Sequence, residues 1–147
     1  MSLLYADSSA LVRAYFADET DHNELRALLL EQREPVVTSE ITRLELASAV
    51  RAASVAGRVA RTRELLARID ADLAEDGVIS AIDLRADVIF PTAYRFVLEH
   101  RLRPLDAIQL AVCAEDCPAL AGDDEIVFVT RDDDQAKAAR ALGLTVR

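Results

Sequence analysis

The sequence predicts an α/β fold, a three-layer α/β/α sandwich around a short, mainly parallel sheet. Three observations predict it. Short apolar runs, mostly rich in β-branched residues, alternate with longer stretches of helical periodicity. Those runs are bounded by Pro, Gly or acids. No linker-like stretch, internal repeat or low-complexity segment interrupts the 147 residues, so 1–147 reads as one domain. Strands that alternate with helices form a parallel sheet covered on both faces.

Leu3–Ala6 reads as the first buried strand, with a helix near 9–16 after it. A second helix is expected near 21–32, where Asp21 and Glu24 resemble a capping box. Val36–Thr38 is the next strand. Helices near 40–56 and 58–74, divided by Gly57, suggest an antiparallel pair. The latter carries Arg58, Arg61, Arg63 and Arg68, then Asp70, Asp72, Glu75 and Asp76. Such a run reads as a solvated face or as an RNA contact. Val78–Ala81 is the third strand, and the helix near 85–101 is expected to start or kink at Pro91. The helix near 106–115 is almost wholly apolar from Ala107 to Ala114, hence buried on most sides. Ile126–Val129 is the fourth strand. A helix near 133–142, closed by Gly143, leads to the last strand, Leu144–Val146.

Composition narrows the function classes. Hydrophobic residues are 52% and charged residues 29%, a globular balance. No apolar run approaches the roughly 18–20 residues that cross a bilayer. Met1–Asp7 has no basic region and does not read as a secretion signal. The two cysteines, Cys113 and Cys117, exclude a disulfide framework and point to a reducing cytosol. They read as a core thiol and a loop thiol. A net charge of −9 argues against a protein that grips nucleic acid by charge alone. Sixteen of the 17 basic residues are Arg, whose fork suits phosphate oxygens. Local Arg contacts, or a cation bridging acids to phosphate, stay open.

Four carboxylates occupy comparable places. Asp7 follows the first strand, Asp132 follows the fourth, and Asp106 opens the apolar helix. Glu45 lies one to two turns after the second strand, with Ile41, Ser48 and Ala49 as its helical neighbours. In open α/β sheets the ligand crevice lies beyond the carboxyl ends of the strands, where all four acids can meet. Two carboxylates about 4 Å apart repel by about 4 kcal/mol at an effective dielectric of about 20. Four together require protonation or a cation. All-oxygen ligands suit Mg²⁺ or Mn²⁺. His22 and His100 are isolated, and the cysteine pair lacks partners for zinc. Each acid also has a plainer reading. Asp7, Asp106 and Asp132 can each be a helix cap. Glu45 can be an ion-pair partner of Arg13 or Arg43. Asp132, Asp133 and Asp134 leave open which one faces inward.

At these residues a family resemblance appears. Tyr5-Ala6-Asp7-Ser8-Ser9-Ala10-Leu11-Val12 resembles the opening motif of PIN-domain nucleases. Thr42-Arg43-Leu44-Glu45-Leu46-Ala47-Ser48-Ala49 is similar to the second acidic motif, and Leu105-Asp106-Ala107-Ile108-Gln109-Leu110-Ala111 to the third. Phe128-Val129-Thr130-Arg131-Asp132, with Ala138-Ala139 and Leu142-Gly143-Leu144, is similar to the fourth. A domain of this size resembles the VapC-type toxins of bacterial toxin–antitoxin pairs. The resemblance implies a PIN-like fold and a Mg²⁺- or Mn²⁺-dependent endoribonuclease with Asp7, Glu45, Asp106 and Asp132 as its acidic site. It also implies Ser8 or Ser9 and Thr130 as supporting groups, a homodimer, and a small cognate antitoxin. Helices 40–56 and 58–74 could pair across a dimer, clasp an antitoxin helix, or be ordinary core packing. Two other readings use the same acids: a phosphoacceptor signalling domain, and a catalytically silent PIN-like interaction module. The first wants an adjacent acid pair after strand one and a late lysine in the sheet. Here Ser8-Ser9 follows Asp7, and Lys137 falls in a predicted helix.

Overall fold

The computed structural model describes residues 1–31 and 33–147. Five parallel strands form one sheet: β1 (Ser2–Ala6), β2 (Val36–Ser39), β3 (Ile79–Ile82), β4 (Glu125–Val129) and β5 (Thr145–Val146), in the order β3-β2-β1-β4-β5. The helices are α1 (Ser8–Tyr15), α2 (His22–Arg26), α3 (Ile41–Val55), α4 (Thr62–Asp72), α5 (Ala86–His100), α6 (Pro104–Ala121) and α7 (Asp133–Ala141). The period-2 alternation of each strand divides the core. Leu4, Ala6, Val36, Val127 and Val129 pack with residues of α1, α2, α3 and α4. Leu3, Tyr5, Val37 and Phe128 pack with residues of α5, α6 and α7. The α/β/α sandwich expected from the sequence is therefore the observed architecture.

Element ends are where expectation and structure part. The helix expected over 21–32 is five residues of α2 and one π-helical turn, Ala27–Glu31. Its expected end at Gln32 lies outside the described residues. Asp21 stands at the N-cap position of α2, but its side chain does not cap the helix. Its φ of 63° is left-handed, it makes no side-chain cap bond, and its carboxylate pairs with Arg131 at 3.0 Å. Pro91 does not start α5, which begins at Ala86 and runs through it. Helix α6 begins at Pro104 rather than 106, because proline suits the first helical position, where its missing N–H costs nothing. It also runs on to Ala121, so Cys117 is a buried helix residue and not a loop thiol. Gly57 and Gly143, at φ 73° and 83°, close α3 and α7. In each case two backbone bonds satisfy the last carbonyls, Arg58 to Ala53 and Gly57 to Ser54, and Leu144 to Ala139 and Gly143 to Arg140.

Strand order reverses at β1. From there the chain proceeds outward to β2 and β3, then crosses to β4 and β5 on the other side. The crevice of an open α/β sheet lies at this switch, beyond the carboxyl ends of β1 and β4. Ala6 pairs with Val129 there, and the Asp7 amide donates to the Val129 carbonyl at 3.1 Å. The register thus sets Asp7 beside Thr130.

Candidate active site

Asp7 is 2% exposed and fully engaged. Its Oδ1 accepts from the Ala10 amide at 3.0 Å, which caps α1, and from the Ser9 hydroxyl at 2.7 Å. Its Oδ2 accepts from the Thr130 hydroxyl at 2.5 Å. Ser9 in turn accepts from the Arg131 amide, and Thr130 from the Asp132 amide. Asp132 caps α7 through Oδ1, which accepts from the Gln135 amide at 2.8 Å. Its Oδ2 faces Arg103 at 3.5 Å. Asp133 and Asp134 are exposed in the first turn of α7, so Asp132 is the inward member of the run.

Asp106 caps nothing, since α6 starts two residues before it and takes no side-chain cap. It is half-buried and paired with Arg103 at 3.1 Å. Glu45, also half-buried, accepts from Ser8 at 2.9 Å and from Gln109 at 2.9 Å. Among the described residues it has no ion pair. Arg43 turns to Asp70 and Arg13 to Asp21, so the ion-pair reading of Glu45 does not hold. Gln109 and Arg103 are site residues that the sequence reading passed over. The available signal for Gln109 was a lone amide inside an apolar helix, which needs a buried partner. The Arg58–Arg68 stretch is a solvated face laced with ion pairs: Arg58 to Asp18 and Glu19, Arg61 to Glu64, Arg68 to Asp72.

Ser8, Ser9, Glu45, Arg103, Asp106 and Asp132 line one cleft of about 360 Å³. Asp7 lies beneath it, tied to Ser9, and is near enough to Asp106 for their charges to interact. Burial drives the Asp7 carboxyl up to about 6. Its three hydrogen bonds oppose the rise, and Asp106 adds to it. Burial also raises Asp106, against the lowering effect of Arg103, while Asp132 and Asp134 push it further up. The Arg103 guanidinium, 78% exposed, bridges Asp106 and Asp132. Arg103 is the positive charge that faces these carboxylates. The donors are all oxygens, which suits a hard divalent ion. Among the described residues no three His, Cys, Asp or Glu side chains are gathered closely enough to hold a metal. No histidine borders the cleft. Lys137 is exposed on α7, away from the role a phosphoacceptor domain would give it.

No curated protein matches the chain significantly. Solved structures do. VapC20 of Mycobacterium tuberculosis, a sarcin–ricin-loop-cleaving toxin, superposes with a TM-score of 0.66 at 18% identity, over 92% of this chain and 94% of that one. A chain of a toxin–antitoxin complex from Klebsiella pneumoniae gives 0.52 at 20% identity, over 92% and 91%. Both show the likeness of fold. The family model described as PIN domain matches residues 4–141, a span holding all four acids and the sheet edge that presents them; the chain belongs to the PIN-domain family.

Proposed function

We propose that this chain is a metal-dependent endoribonuclease that hydrolyses RNA phosphodiester bonds, and that it is the toxin of a toxin–antitoxin pair. Asp7 carries the reading. A buried carboxylate held by three donors, beside Asp106 and below a cleft lined by further acids, is costly to keep unless it serves a cation. Asp7, Glu45, Asp106 and Asp132 would hold Mg²⁺ or Mn²⁺. When bound, such an ion supplies a more acidic water and offsets charge on a phosphate. Ser9 and Thr130 orient Asp7, and Ser8 donates to Glu45. Arg103 stands at the cleft mouth with a fork that fits phosphate oxygens. The carboxylates are the proton acceptors available there, since no histidine lines the cleft.

The similarity to VapC20 and to the Klebsiella complex supports RNA as substrate and a small antitoxin protein as partner. The cytoplasm is the compartment this reading assigns, because the proposed RNA substrate is there; separately, no helix among the described residues is long and apolar enough to cross a membrane. The test is cleavage of RNA with Mg²⁺ or Mn²⁺, with and without EDTA, by the wild type, Asp7→Ala and Asp106→Ala. Cleavage that EDTA abolishes and both variants lose supports the reading. Full activity in both variants ends it. Mn²⁺ titration by calorimetry separates it from a silent interaction module, which need not bind the ion.

A further inference from the structure

One buried side chain connects the interior to the cleft. Gln109 lies on α6 three residues after Asp106, 1% exposed in an otherwise apolar stretch. Its Nε2 donates to Glu45 Oε1 at 2.9 Å and to Thr42 Oγ1 at 2.8 Å. Its Oε1 accepts from the Tyr5 hydroxyl at 2.6 Å. A carboxylate only accepts, so the amide nitrogen must face Glu45 and the amide oxygen must face Tyr5. Tyr5 is fully buried and stacked on Phe128, with ring centroids 5.4 Å apart, which fixes where its hydroxyl stands. The amide oxygen of Gln109 can only accept, so the Tyr5 hydroxyl is the donor of this bond. Donation continues on the other side: Thr42 bonds Thr38 at 2.7 Å, and Thr38 donates to the Ala6 carbonyl at 2.7 Å. Every group in this relay has its partner. The relay is anchored on β1, β2 and α3, the elements that deliver Asp7 and Glu45.

Leucine would fill the same interior without the desolvation cost of an amide. We propose that Gln109 is a positioning residue that fixes the orientation of the Glu45 carboxylate in the cleft, with Tyr5 locking its amide. This rests on Glu45 serving the nuclease site proposed above.

The test compares wild type, Gln109→Met, Tyr5→Phe, Glu45→Ala and the Glu45→Ala variants of the first two. Mn²⁺ affinity is read by calorimetry on the metal-free full chain, and RNA cleavage is resolved into kcat and KM. Gln109→Met is expected to lower Mn²⁺ affinity and kcat by roughly 10- to 100-fold with KM little changed. Tyr5→Phe is expected to shift both in the same direction by less. Neither change should add to the loss already caused by Glu45→Ala, because both act through that carboxylate. Far-UV circular dichroism at assay temperature checks folding. If Gln109→Met does not fold, Tyr5→Phe, which removes one oxygen, carries the same criteria alone. Wild-type Mn²⁺ affinity and kcat in the relay variants, beside an impaired Glu45→Ala, overturn this inference only. So do losses that add in the double variants. Full Mn²⁺ affinity and activity in Glu45→Ala overturn the reading of Glu45 itself, and this inference with it.

Discussion

Asp7 sets charge against burial. Its carboxyl titrates near 6 in the fold against 3.8 when exposed, and burial is the main cause. The folded state therefore holds the proton more tightly than the unfolded chain. The stability this brings is complete below about pH 4 and is lost as pH rises through about 6. At neutral pH the metal-free protein carries a cost on the order of 3 kcal/mol from this one charge. Asp7→Asn keeps an acceptor for Ala10 and Ser9 and removes the charge. Its thermal midpoint in EDTA at pH 7 is expected to exceed that of the wild type, with the gap closing near pH 4. A lower midpoint for Asp7→Asn at pH 7 would contradict the assignment. Mn²⁺ should then raise the wild-type midpoint and leave that of Asp7→Asn nearly unchanged, because binding to the folded state alone stabilises it. The cap reading of Asp7 is present in the structure on Oδ1, while Oδ2 takes the Thr130 hydroxyl beneath the cleft. No pattern in one sequence could apportion them, because the Thr130 partner is 123 residues away.

The same double duty separates α7 from α6. Asp132 caps α7, whereas Asp106 sits inside α6 beyond its start. Asp132→Ala should destabilise the fold by about 1 kcal/mol through the lost cap, and Asp132→Asn should restore stability because asparagine caps as well. Asp106→Ala should change stability by no more than about 0.5 kcal/mol, since relief from burial opposes the lost first-turn charge. Urea unfolding of the three variants measures this. Equal losses in Asp106→Ala and Asp132→Ala would remove the distinction. Periodicity found each helix and strand because it reports on the middle of an element, where side chains face the core. It misplaced ends, which local bonds decide. Pro104 moved the start of α6 and turned Asp106 from a cap into a cleft residue. Asp21 has the residue type of a cap, but the Arg131 side chain takes its carboxylate. The π-helical turn over Ala27–Glu31 has no signature in the alternation of apolar residues.

For the whole molecule, what the core leaves outside matters as much as what it encloses. Helices α3 and α4, which the sequence leaves open as a dimer seam, an antitoxin clasp or core packing, turn Leu46, Val50, Ala53 and Ile69 into the core. Helix α3 also exposes Leu44 and Val55, eleven residues apart, but α5 exposes a continuous row. Ile89, Ala93 and Phe96 face inward, while Phe90, Tyr94 and Leu98 are exposed at four-residue spacing along its outer side. Three large apolar side chains in line form a strip where two copies could meet. The homodimer that the resemblance implies is therefore predicted to form through α5 rather than through α3 and α4. Light scattering of the wild type at micromolar concentration should give twice 16.1 kDa, and Tyr94→Glu should return it to the single-chain mass. Phe90 and Leu98 flank Tyr94 by one turn, so a charge there interrupts the strip at its centre while the inward face of α5 stays intact. Leu44→Glu, on the exposed side of α3, is the matched control and should leave the dimer unchanged. A wild type that is monomeric, or a dimer that Leu44→Glu breaks and Tyr94→Glu does not, would move the contact away from α5.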